Sequence, residues 1–248
     1  MLLLLLVAAD LLFVAAHLVH LYTPYLPGPL SSLERDRGHA EFFQYVKLVW
    51  LVMLFAGLAL RQRSLVHGAW ATVFAYLLVD DAFSIHETYG AAVADALGLG
   101  AAAGLGPSDL GQVVVSGAAG AVLLLLVGLA YVAAGDRERE QSRVVLAMVA
   151  ALAFFGVVVD MAGSALRQTS LARPAGLLED AGELLVVSVI LATVFRWAEP
   201  ARRQEVPSTK TTWLRVARTR SSRAGRYSGE SYQERACSAL GNSSTTKR

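Results

Sequence analysis

Two short stretches of this chain hold most of the residues able to do chemistry. LLVDDAFSIHE, residues 77–87, supplies Asp80, Asp81, Ser84, His86 and Glu87, and LLEDAGELL, residues 177–185, supplies Glu179, Asp180 and Glu183. Asp160, Lys47, His17 and His20 are further polar residues set in apolar surroundings. On an unbroken helix Asp80, Ser84 and Glu87 follow an i, i+4, i+7 stripe, and Glu179 and Glu183 lie one turn apart, so each group can address one cavity. Carboxylates so placed serve as general acids and bases, and with imidazoles they form ligand sets for divalent metals.

Seven carboxylates (Asp80, Asp81, Glu87, Asp160, Glu179, Asp180, Glu183) stand against Lys47 and Arg167 as the nearby cations. If all ionise, the excess negative charge must be relieved by a metal, by retained protons, or by water and cations. The imidazoles of His17, His20 and His86 favour a metal. Zn2+ or another divalent ion is expected, with His17, Asp80, His86 and Asp160 as candidate ligands and a water on the ion whose acidity it raises. Asp81 or Glu183 would then shuttle protons. Each assignment has a plainer alternative. His17 and His20 suit a membrane interface, and His86 and Glu87 suit a helix end in water. Glu179 and Asp180 suit a first helical turn, where carboxylates meet exposed backbone N–H groups.

Long hydrophobic blocks carry these residues. The chain is 55% hydrophobic and 17% charged, against about 25% charged in soluble domains, and several blocks approach the ~20 residues that cross a bilayer core. The fold class expected is all-α, a polytopic transmembrane bundle of six spans at about 2–21, 42–60, 66–87, 110–134, 144–164 and 178–196. TPYLPGP forbids continuation of the first helix, because proline lacks the N–H that a helix needs. MLLLLLVAAD has no positive n-region, so residues 2–22 are expected to be a retained helix. Residues 90–106 are apolar, rich in glycine and too short to span; a surface helix, a re-entrant segment or a mobile cover all fit.

The net charge of +2 hides a division: residues 1–195 carry ten Lys/Arg and sixteen Asp/Glu (−6), and residues 196–248 carry twelve and four (+8). The domains expected are therefore a transmembrane helical domain, 1–197, and a basic, disordered cytoplasmic tail, 198–248. Arg61, Arg63, Arg137, Arg139 and Arg143 lie in the links on the tail's side, which makes that side cytoplasmic. The protein is expected in a bacterial cell (inner) membrane, with both termini cytoplasmic. Most of the polar layer then falls within roughly 10 Å of the outer interface, at ~1.5 Å rise per residue. Asp10 is the one deeply placed acid and shares a helix face with His17. Partners expected are the phospholipid bilayer and, for the tail, anionic headgroups or a cytoplasmic protein; no nucleic-acid partner is expected. Cys237, the one cysteine, lies in the tail, so no disulfide framework or thiolate metal site can form within the chain.

The DD-x(4)-HE pattern at 80–87, with LLEDAGELL, resembles motifs of uncharacterised bacterial multi-pass membrane proteins over residues 40–197. A looser resemblance is to the ceramidase/adiponectin-receptor-like membrane hydrolases. It implies an intramembrane zinc with His17, His20 or His86 as ligands, Asp80 or Asp81 orienting or activating water, and Ser84 in an auxiliary catalytic role. That superfamily has seven helices and a late His-x-x-x-His pair, whereas this chain has no histidine after His86.

Three functions remain open on the sequence. A metal-dependent membrane hydrolase would use the His/carboxylate layer on an amphiphilic substrate. A proton- or cation-coupled transporter component would use the same acidic excess with Asp10 below it. A non-catalytic scaffold would need only the bundle and its tail. The chain has no Walker loop, dinucleotide fingerprint, Gly-x-Ser-x-Gly elbow or His-Glu-x-x-His motif, which disfavours the classes that depend on them.

Overall fold

A computed structural model describes residues 1–199 apart from Pro27, Glu34, Asp36 and Ala103. The expected tail, with Cys237, lies outside the described residues. The described elements are α1 (Leu2–Tyr22), a 3-10 turn (Pro29–Ser31), α2 (His39–Gln62), α3 (Leu65–Phe83), α4 (Ile85–Leu97), α5 (Pro107–Val132), α6 (Asp136–Ala153), α7 (Asp160–Ala165) and α8 (Ala172–Ala198). A π-helical turn, Phe154–Val159, joins α6 to α7 without a break in the helix.

Local sequence explains most boundaries. Thr23 is extended before Pro24, as the residue preceding a proline tends to be, and α1 stops there. Pro107 opens α5 where its missing N–H is not needed, and Asp109 accepts the Gly106 N–H at 2.9 Å. Glu138 does the same for Gly135 at the start of α6, at 3.1 Å. Gly98 closes α4 at φ +62°, a left-handed conformation that glycine adopts without steric cost.

The protein is a multi-pass membrane protein. Four helical runs, Leu2–Tyr22, His39–Gln62, Pro107–Val132 and Asp136–Ala165, are long and apolar enough to cross a bilayer, and a fifth is counted if the bent pair α3 and α4 is one span. Two of the six expected spans take a different form from the one expected. The span expected at 66–87 breaks at Ser84 (φ 48°, ψ 48°), where the axis bends by 77°. The span expected at 178–196 lies within α8, whose first half carries Arg173, Glu179, Asp180 and Glu183 and dilutes its apolar length. The segment 90–106 begins as part of α4, which lies against α5.

The core is built by α2, α3 and α8. Leu48, Leu51, Phe55 and Leu58 form one face of α2, packed with Val66, Trp70, Val73 and Phe74 of α3 and Val187, Ile190, Leu191 and Val194 of α8. Phe55 and Phe74 stack with centroids 5.4 Å apart. In contrast, α5 buries only Gly111 and Val127 and exposes Val122, Leu125 and Leu129, the pattern of a helix solvated by lipid. Gly111 allows α5 to meet α4: a Cβ there would run into the Gly90 carbonyl. Such small-residue crossings bring backbones together where no water is available to drive association.

Candidate functional site

The break at Ser84 is held by the motif that surrounds it. Asp80, near the end of α3, accepts the backbone N–H of His86 at 3.0 Å through Oδ1, and Oδ2 lies 3.0 Å from His86 Nδ1. One carboxylate therefore caps the exposed first turn of α4 and fixes the imidazole. With Nδ1 engaged, Nε2 is the nitrogen left for a ligand. The break also overturns the expected Asp80/Ser84/Glu87 stripe, since Ser84 is the left-handed hinge and Glu87 belongs to a differently directed helix.

Beside this hinge lies a cleft of about 190 Å³, lined by Leu33 and Arg35, by Ala40, Glu41 and Gln44 of α2, by Asp81, Ser84, His86 and Glu87, and by Asp180, Glu183 and Leu184 of α8. Among the described residues, five carboxylates border it against Arg35 and His86. The Asp81 carboxyl is within electrostatic reach of Glu41, His86 and Glu183. Gln44 is 7% exposed, and its side-chain oxygen has no hydrogen-bond partner among the described residues. Tyr45 donates its hydroxyl hydrogen to Glu41, and its oxygen is 3.3 Å from the Asp81 carbonyl.

The loop that carries Arg35 is anchored at both ends. The Leu33 N–H donates to His17 Nδ1 at 3.0 Å, and the Arg37 N–H donates to Glu41. His20 Nδ1 is 2.6 Å from the Leu26 carbonyl, which ties the preceding turn to α1. The two histidines of α1 thus bind backbone, and His17 itself is fully buried.

The opposite wall is an interlock of α8 with the π turn. A Cβ at Gly156 would collide with Glu183 Oε1, and one at Gly182 would collide with the Phe155 ring. Each helix therefore receives the other's side chain over a glycine. Asp160, at the end of the π turn, is within electrostatic reach of Asp109, Arg167, His86, Glu179 and Glu183. Arg167 donates to Asp109 at 3.1 Å. π turns recur at functional sites because the extra residue re-aims the side chains that follow.

Directly beneath the cleft, Lys47 makes a closed network. Its ammonium group donates to Asp10 Oδ1 at 3.0 Å, the Leu184 carbonyl at 2.8 Å and Ser188 Oγ at 3.2 Å, while the Ser188 hydroxyl donates to Asp10 Oδ2 at 2.6 Å. All three side chains are fully buried. The expectation that Lys47 neutralises the polar layer is corrected: its charge is spent on Asp10.

Of the four candidate metal ligands, Asp80 and His86 meet, His17 holds the Leu33 loop, and Asp160, the first residue of α7, is within electrostatic reach of His86 and Glu183. Among the described residues no group of three or more His, Cys, Asp or Glu side chains is arranged to hold a metal ion. The candidate catalytic residues Asp81, Ser84 and Glu183 do border one cleft. Sequence reasoning missed Glu41, Gln44 and Arg35 there. Glu41 and Gln44 precede Lys47 by about two turns and one turn of α2, which is the signal that could have found them.

At the other end of the bundle, His67 Nε2 is 3.1 Å from Gln141 and the Trp70 indole N–H donates to Ser142 at 2.9 Å, all four residues being buried. These bonds join α3 to α6. Between them and the Lys47 network lie Leu51, Phe55, Phe74 and Ile190, a fully buried apolar layer.

The chain belongs to the family described as a domain of unknown function (DUF8692), whose profile matches residues 2–197. No curated protein and no solved structure matches it.

Proposed function

We propose that this member of the family binds a cationic group in the cleft between α2, the Ser84 hinge and α8, and that this end of a six-crossing bundle, with α8 as its central span, faces the outside of the cell membrane. The observation that carries the reading is the charge balance of the cleft wall. Glu41, Asp81, Glu87, Asp180 and Glu183 converge from three parts of the chain on one small space, with Arg35 and His86 as the basic side chains among the described residues of its lining. Charges placed in or near a bilayer are costly, so such groups face a cavity where water or a counter-charge reaches them. Lys47 cannot serve as that counter-charge, because Asp10 and Ser188 already engage it.

The test is a titration of ethylammonium, Zn2+ and Mg2+ into the full-length chain purified in a non-ionic detergent, followed by calorimetry. Saturable binding of at least one cation at one site per chain is the expected result. Heats no larger than dilution for all three would sink the reading.

A second reading, hydrolysis, is favoured by the presence of Asp81, Ser84, His86 and Glu183 around the same cleft. Asp81 and Glu183, reaching it from different helices, are the acid–base pair, and His86 Nε2 is available to a metal, to water or to the substrate. Transport has less support, because the polar groups below the cleft end at the Lys47 network and the apolar layer beneath it.

A further inference from the structure

We infer that the cationic group is the amine of an aminoalkyl phosphate, presented as the headgroup of a membrane phospholipid; this rests on the cation-binding reading of the cleft. The wall is strongly acidic, yet its rim carries one permanent cation, Arg35, which is exposed on the loop pinned by His17 and Glu41. A ligand with only a positive charge gains nothing from a guanidinium at the entrance. A ligand with an ammonium at one end and a phosphate a few bonds away uses both: the ammonium among Asp81, Glu183 and Asp180, the phosphate on the Arg35 fork.

Two more observations narrow the class. Gln44 is 7% exposed, lines the cleft and has a side-chain oxygen with no partner among the described residues, so it can accept an N–H from the ligand. A primary ammonium has three such hydrogens to give, whereas a quaternary ammonium has none. The volume of about 190 Å³ is below the ~300 Å³ where drug-sized pockets begin, so a headgroup fits and acyl chains stay outside. The chains have somewhere to lie. Phe42, next to Glu41, is 56% exposed and Phe83, next to Ser84, is 69% exposed, giving the cleft an apolar margin.

The experiment measures dissociation constants for the full-length chain in detergent by native mass spectrometry. The probes are ethylammonium, phosphoethanolamine, and short-chain phosphatidylethanolamine, phosphatidylcholine and phosphatidylglycerol. The short-chain phosphatidylethanolamine should bind roughly tenfold tighter than ethylammonium, since a charge-assisted contact adds at least that factor. It should also exceed free phosphoethanolamine and both other lipids. In Arg35→Gln the ratio of lipid to ethylammonium affinity should collapse toward one, with a melting temperature equal to that of the wild type. An unchanged ratio in Arg35→Gln, or equal binding of phosphatidylglycerol or phosphatidylcholine, overturns the inference. Equal binding of free phosphoethanolamine overturns the lipid source. Binding of ethylammonium without any gain from the phosphate overturns the inference while leaving the cation-binding reading standing; failure of every amine probe removes the inference, and that reading too if Zn2+ and Mg2+ also fail to bind.

Discussion

Lys47 and Asp10, 37 residues apart, form an ion pair of 3.0 Å with side chains 0% and 1% exposed. Every ammonium hydrogen has an acceptor and both carboxylate oxygens are used, so the pair is satisfied without water. It ties α1 to α2 and α8 at the floor of the cleft. Removing one partner strands a buried charge, which costs roughly 3–5 kcal/mol. Lys47→Met should therefore lower the melting temperature sharply, and Asp10→Asn with Lys47→Met should recover much of the loss. Thermal unfolding in detergent measures both; an additive double variant would show the two residues to be uncoupled.

The reciprocal glycines predict a second effect. At Gly182 a methyl group meets the Phe155 ring, so Gly182→Ala must push α8 from the π turn, costing roughly 1–3 kcal/mol. Gly182→Ala combined with Phe155→Leu should be more stable than Gly182→Ala alone. Melting temperatures of the two variants decide it.

Ser84 has two separable roles, one in its backbone and one in its hydroxyl. Its φ of 48° disfavours side chains that branch at Cβ. Ser84→Val should lose roughly 1–2 kcal/mol, while Ser84→Gly should fold as well as the wild type or better. If Ser84→Gly keeps its cation affinity, the hydroxyl is not part of binding and Ser84 acts as the hinge alone. A large loss of affinity at unchanged stability would instead assign the hydroxyl to the ligand.

Orientation is open to a direct check. Gln168, exposed between α7 and α8, lies at the cleft's end of the bundle. With Cys237 replaced by Ala, a Gln168→Cys variant should react in intact cells with a membrane-impermeant maleimide. Labelling only after the membrane is opened would reverse the proposed topology.

The all-helical membrane fold was legible because apolar length is a one-dimensional signal. The gathering of Asp81, His86 and Glu183 at one end was legible too, since depth in the membrane follows from residue spacing. Other features depend on relations between helices. Nothing in the sequence near Lys47 says that Asp10 faces it, because that needs the depth and rotation of α1 against α2. The hinge at Ser84 lacks the proline or glycine that usually marks a break; Asp80 supplies the reason for it, through a cap six residues ahead. Gln44 and His67 were passed over because a single neutral polar residue in an apolar run gives no signal until its neighbours are known.

The central claim, that the cleft carboxylates bind a cation, is tested most directly by ethylammonium affinity in three proteins. These are the wild type, Asp81→Asn with Glu183→Gln, and Asp136→Asn with Glu138→Gln as a control at the opposite end of the bundle. The account predicts a saturable site in the wild type and the control, and an affinity weaker by roughly tenfold or more when the cleft pair is neutralised. Equal affinity in all three proteins would contradict it.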